Sequence, residues 1–126
     1  LRALDVSGNE IAGRGAGKLL VAGSGRGLRE LGLFNNSVGD EGVPQVLEGL
    51  AANRGLLSLD LGGNGLTGAG LEALLAGAAL HLALRTLEVG ANASDERAEA
   101  VVRRSQAENP GLDVAFRRGG GGAAPG

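Results

Sequence analysis

The sequence predicts an α/β repeat array in which short parallel strands alternate with helices. Three observations carry that expectation. First, the template L-x-x-L-x-L-x-x-N starts at Leu1, Leu28, Leu56 and Leu84, at spacings of 27, 28 and 28 residues. Self-similarity at a fixed period is the mark of stacked repeats. Second, the L-x-L core of each unit alternates apolar and other residues, the period of a strand. Third, the remainder of each unit spaces its apolar residues as a helix does.

The strands come from the apolar triplets Leu1, Leu4, Val6; Leu28, Leu31, Leu33; Leu56, Leu59, Leu61; and Leu84, Leu87, Val89. In each L-x-L the two apolar side chains face the core and the residue between them faces out. An Asn follows at a fixed offset, at Asn9, Asn36, Asn64 and Asn92. Its amide both donates and accepts. Stacked Asn side chains therefore make a ladder that satisfies backbone groups where the chain leaves the sheet. Next come Ile11, Val38 and Leu66, with Ser94 breaking the pattern, then Gly15, Gly42, Gly70 and Ala98.

The helical halves differ in strength. The first, residues 12–27, holds six glycines, which argue against a full helix. The second, 38–53, is helical provided Pro44 falls in the first turn. The third places Leu71, Leu74, Leu75 and Leu82 on one helical face. The fourth is the clearest: Ser94 is placed to cap it, Asp95 and Glu96 suit its positive end, and Pro110-Gly111 stops it. Glu99 and Arg103 add an i,i+4 pair in the favourable order. Leu112, Val114 and Phe116 then alternate as a closing strand over 112–116. The segment 117–126, Gly-rich and without pattern, reads as a disordered tail. The repeat domain thus spans 1–116. Because Leu1 opens directly on a strand, a capping unit is expected upstream.

Composition narrows the function. The chain is 43% hydrophobic but 2% aromatic, so its core must be aliphatic. The net charge is −2, with −4 on residues 1–100 (8 basic less 12 acidic) and +2 on 101–126 (4 basic less 2 acidic). Neither part has the charge of a nucleic-acid or membrane ligand. Arg103, Arg104, Arg117 and Arg118 are too few, without aromatic platforms, for an RNA-binding arm. There is no Cys, hence no disulfide framework and no thiolate metal site. This fits a reducing compartment, and the expected location is cytoplasmic. No apolar run reaches the ~18 residues of a membrane-spanning helix.

Catalytic and cofactor motifs fail on inspection. A phosphate loop around Lys18 needs Gly at position 12 and a hydroxyl at 19, where the chain has Ala12 and Leu19. Gly23 to Gly27 lacks dinucleotide-binding spacing. His81 is the single His, so neither a His-rich metal site nor a Ser–His–Asp triad forms around it. It reads as a helix-end residue. The expectation is a non-enzyme with no cofactor and no metal.

A strand and a helix every 27–28 residues, with the Asn and Gly offsets above, resembles the leucine-rich repeat family. Its ribonuclease-inhibitor-like subclass, also found in NLR-type receptors and RanGAP-like proteins, is the nearest in period. The resemblance implies a right-handed horseshoe solenoid, strands on the concave face and helices on the convex one. It also implies protein–protein recognition on the concave face. The outward positions there are Asp5, Gly32, Asp60 and Glu88. Ala3, Glu30, Ser58 and Thr86 stand two residues earlier; Ser7, Phe34, Gly62 and Gly90 stand two later. The candidate binding residues are Asp5, Glu30, Phe34, Ser58, Asp60, Thr86 and Glu88, with Asp5–Glu30–Asp60–Glu88 as an acidic stripe for a basic protein partner. Phe34 is the candidate anchor. Two alternatives remain: regulation of a small GTPase, with Arg14 in a loop beside the strands, or spacer repeats within a longer sensor.

Overall fold

The computed structural model describes residues 2–116; Leu1 and the expected tail, 117–126, lie outside the described residues. Strand and helix alternate throughout. The strands are β1 (Ala3–Asp5), β2 (Glu30–Gly32), β3 (Ser58–Asp60), β4 (Thr86–Glu88) and β5 (Asp113–Ala115). The helices are α1 (Gly13–Ser24), α2 (Gly39–Ala52), α3 (Gly68–Ala78) and α4 (Glu96–Glu108). The strands form one parallel sheet in sequence order. Parallel neighbours need a long crossover, and each helix supplies one.

Register follows from the repeat. The central residues Leu4, Leu31, Leu59, Leu87 and Val114 stand side by side. From Leu31 to Val114 they are buried, together with Leu33, Leu61 and Val89 from the strand ends. Leu20, Val46, Leu71, Leu74, Val101 and Val102 close the same cluster from the helices. The buried cluster is wholly aliphatic, and Phe116 packs half-buried against it. One face of the sheet is therefore filled, while the residues flanking each strand centre are exposed or half-buried on the other.

The turn before each ladder Asn uses one backbone conformation. Gly8, Asn35, Gly63 and Ala91 precede the four Asn and have φ of 73°, 57°, 65° and 58°. Glycine enters this left-handed region freely and Asn tolerates it, whereas Ala meets its own Cβ.

Four local expectations are corrected. Residues 13–24 form a full helix despite their glycines. The reason is packing. A Cβ added at Gly13 would stand 2.3 Å from the Gly42 Cα, one at Gly17 2.6 Å from the Gln45 carbonyl oxygen, and one at Gly49 2.9 Å from the Gly17 carbonyl oxygen. Missing side chains let α1 and α2 touch backbone to backbone, and that contact offsets the low propensity of Gly. Pro44 lies beyond the first turn of α2. Its missing N–H removes the usual donor to the Asp40 carbonyl; the Asp40 carboxylate, a separate acceptor, takes the Thr67 N–H at 2.9 Å and its hydroxyl. Leu82 is no part of a helical face: α3 ends at Ala78, and Leu82 is 102% exposed. Asp95, not Ser94, caps α4, its carboxylate accepting from Ala98 N–H at 2.9 Å.

Candidate functional site

The open face of the sheet carries three rows set by the strand register. The first is Ala3–Glu30–Ser58–Thr86–Asp113 and the second is Asp5–Gly32–Asp60–Glu88–Ala115. The third follows the strand ends, where Gly8, Asn35 and Gly63 N–H groups donate to the carbonyls of Phe34, Gly62 and Gly90. Asp5, Asp60 and Glu88 share a row, but Glu30 belongs to the row beside it, and Gly32 occupies the gap between Asp5 and Asp60. Neighbouring strands lie about 4.8 Å apart, so Asp60 and Glu88 are adjacent while Asp5 stands roughly 10 Å from Asp60.

The polar side chains of this face are locally ordered. Asp5 accepts from the Ser7 N–H at 3.0 Å and hydroxyl at 2.5 Å. Asp60 accepts from the Gly62 N–H at 2.9 Å. Thr86 donates to the Ser58 hydroxyl at 2.8 Å. Phe34 is half-buried, and a Cβ added at Gly63 would meet its ring at 3.3 Å. The ring thus lies over the glycine turn of the next repeat. Beside it, Gly62 and Gly90 leave the floor flat. The sequence reading missed Asp113, which extends the Glu30 row. Its signal was present in the alternation of Leu112, Val114 and Phe116.

The Asn side chains supply the rigidity beneath. Asn36 accepts from Asn9 and Ile11 N–H groups at 2.9 and 2.8 Å and donates to the Val6 and Leu33 carbonyls. Asn92 repeats this with Asn64, Leu66, Leu61 and Val89. Asn64, 1% exposed, accepts from Val38 N–H and donates to Leu33 and Gly62. Asn9 bonds its own turn, at Val6 and Ser7.

A second polar column, absent from the sequence reading, joins the opposite ends of the repeats. Asn53, 2% exposed, donates to the Leu20 carbonyl at 3.1 Å. Its own carbonyl takes His81 Nε2 at 2.7 Å. His81 Nδ1 accepts from Ala83 and Leu84 N–H groups at 3.2 and 3.0 Å. Two backbone donors on Nδ1 leave Nε2 to donate to the Asn53 carbonyl, so the ring links the two repeats. It sits in the α3–β4 connection rather than on the helix. The legible signal was the 28-residue offset from Asn53 to His81.

Other expected or charged positions lie elsewhere. Arg14 is in α1, not a loop. Glu72 on α3 takes Arg97 at 2.9 Å and Arg104 at 3.4 Å from α4. Hydrogen bonding and charge from Arg97 hold its carboxyl below the ordinary value against an opposing desolvation, with Arg104 adding a lesser pull in the same direction. Among the described residues, no group of three or more His, Asp or Glu is placed to hold a metal, and no helix is long and apolar enough to cross a membrane.

Comparison with known proteins bears on the frame that holds these rows. A family model described as leucine rich repeat matches residues 1–20 and 52–75. These matches support a leucine-rich repeat family. The structure of leiomodin-1 actin-binding site 2 is similar over 95% of this chain and 72% of its own, with a TM-score of 0.69 and 18% sequence identity. At that identity the likeness shows the fold alone. No curated protein matches the chain. The alternating strands and helices fit a leucine-rich repeat fold.

Proposed function

We propose that this chain is a non-catalytic recognition module that binds a basic segment of another protein on the open face of its sheet. In this reading the repeats curve as a right-handed horseshoe of the ribonuclease-inhibitor-like type, and that face is the concave one. One observation carries the reading: the register places Asp5, Asp60 and Glu88 in a single row on the face the helices leave open. Cationic side chains spaced along an extended peptide would meet the row's carboxylates in turn. Phe34, beside the flat Gly62–Gly90 floor, would take an apolar neighbour. Asp5 and Asp60 are held by their own turns, so less ordering is needed on binding. The leiomodin likeness supports protein binding as the class and does not choose the partner. A cysteine-free chain of this kind suits a cytoplasmic setting.

The test is affinity capture from lysate with the intact chain and with an Asp5→Lys/Asp60→Lys/Glu88→Lys variant, both confirmed folded by circular dichroism. A partner recovered only by the unmodified chain, and lost as salt rises, is the expected result. Equal recovery by both proteins would refute the assignment of this face.

A further inference from the structure

The edge of the array where helices turn into strands has a chemistry unlike the acidic rows. Arg2, Arg29, Leu57 and Arg85 stack there, the last three each donating a backbone N–H at 2.8 Å to the carbonyl of the residue before it in the column. One turn earlier, a 28-residue offset aligns Arg26, Arg54 and Leu82. Five arginines therefore gather along an edge of a chain whose net charge is negative. Arg2, Arg26, Arg54 and Arg85 are exposed, while Arg29 leans across to donate to the Gly55 carbonyl at 3.0 Å. The acids of this edge are Glu30 and Asp113, the first residues of β2 and β5, and Glu108, the last residue of α4. Asp40, Glu41, Asp95 and Glu96 lie at the opposite edge, on the first turns and cap of α2 and α4.

Two leucines break the surface in the same place. Leu80 and Leu82 are 81% and 102% exposed, and of the large hydrophobics only Val21 joins them as exposed among the described residues. They are not on a loose loop. His81 between them is fixed on both ring nitrogens, to Asn53 and to the Ala83 and Leu84 backbone. With Leu50, Ala51, Arg54 and His81 they line a pocket of about 460 Å³. Helix-end dipoles favour nearby cations, which accounts for arginines at Arg26 and Arg54. It does not account for two rigidly presented leucines beside them. Exposed apolar side chains that frame a pocket with a cation at its wall are the makings of a recognition site.

We propose that the Leu80–Leu82 pocket and its arginine edge form a second protein-docking site, for an acidic, apolar peptide segment. An apolar side chain of that segment enters between Leu50 and the two leucines. A flanking carboxylate pairs with Arg54, and a further acid reaches Arg85. A pocket favours a protruding side chain over a flat lipid surface, which would bury the leucines and leave the pocket unused. The site is separate from the acidic rows in both place and charge, so one module could hold two unlike segments.

The test uses the full chain and a short fluorescent peptide alternating Glu with Leu, read by anisotropy. Peptides alternating Lys with Leu and Glu with Ser serve as comparisons, with vesicles containing phosphatidylserine as a further probe. The Glu–Leu peptide should bind best and weaken with salt. Leu80→Ser/Leu82→Ser and Arg54→Glu/Arg85→Glu should each weaken it by about tenfold or more, the size of a binding hot spot. These side chains are exposed, and circular dichroism checks the fold. Asp60→Lys/Glu88→Lys should leave this binding unchanged, which keeps the site apart from the open face. Absence of Glu–Leu binding, equal affinity of the leucine variant, or variant-sensitive binding of vesicles in place of peptide would each overturn the proposal.

Discussion

Gly13→Ala should destabilise the protein, although Ala is the better helix former. In isolation the exchange favours the helix by about 1 kcal/mol. Here the new methyl would stand 2.3 Å from the Gly42 Cα and 2.6 Å from its carbonyl oxygen. Carbon atoms in contact sit at about 3.5–4.0 Å, so α1 and α2 must part by more than about 1 Å. The obstacle is backbone, which cannot swing aside as a side chain does. Overpacking of this kind costs about 1–3 kcal/mol and occasionally more. With no flexible atom to absorb it, the upper end applies, and the net loss is about 2 kcal/mol. For a chain of this size that lowers the melting temperature by roughly 5–10 °C. The companion is Gly25→Ala, at the end of the same helix, where φ is −88° and no atom lies within 4 Å of the new methyl. It should be neutral or stabilising by up to about 1 kcal/mol. Thermal and urea unfolding followed by circular dichroism read both. If Gly13→Ala is as stable as the parent, the two helices are not in backbone contact, and the glycines do what the sequence alone implies, weakening the helix.

Three further outcomes follow from the same geometry. Asn64→Ala leaves Val38 N–H and the Leu33 and Gly62 carbonyls without their side-chain partner and should cost about 3 kcal/mol in urea titration, whereas Asn9→Ala, exposed and bonded only to its own turn, should cost about 1 kcal/mol or less. Ala91→Gly relieves a residue at φ 58° and should stabilise by up to about 1 kcal/mol, raising the melting temperature. The Glu72 carboxyl titrates below its ordinary 4.5 in the folded chain, so its contribution is full above that value and fades as pH falls through the lowered one. Stability curves of Glu72→Gln and the parent, compared in low salt, should therefore differ above pH 4.5 and converge below it; curves that stay parallel would show that the Arg97 pairing contributes nothing.

Period made the frame legible. Spacing of apolar residues located five strands and the last three helices, because burial on a stacked sheet demands the same residue at the same offset. The misreadings share a cause. Propensity argued against a helix at Gly13–Ser24, but the partner helix that makes glycine useful is 29 residues away and invisible to a local rule. Leu82 fitted a helical wheel only by extending it beyond the residue where the helix stops. Ser94 and Asp95 are both good caps, and one residue of phase separates them. At the candidate face, each strand's outward residues and the row of Glu30 were both readable, because a fixed period sets the cross-strand register. Asn53 and His81 were hidden for a different reason: unlike residues occupy equivalent places, so a search for identical letters passes over them.

The Asn ladder has a direction. Asn36 and Asn92 hold N–H groups of the preceding repeat, and Asn64 reaches back to Val38 and Leu33 in the same way. Each repeat is thus finished by its successor. Within the ladder, stripping the array from its carboxyl-terminal side orphans backbone amides in the repeat left behind, while stripping it from the other side frees only Asn side-chain groups. The same asymmetry sets a rule for lengthening such a chain: a repeat grafted after another must bring its own Asn, whereas one grafted before another borrows the Asn already in place.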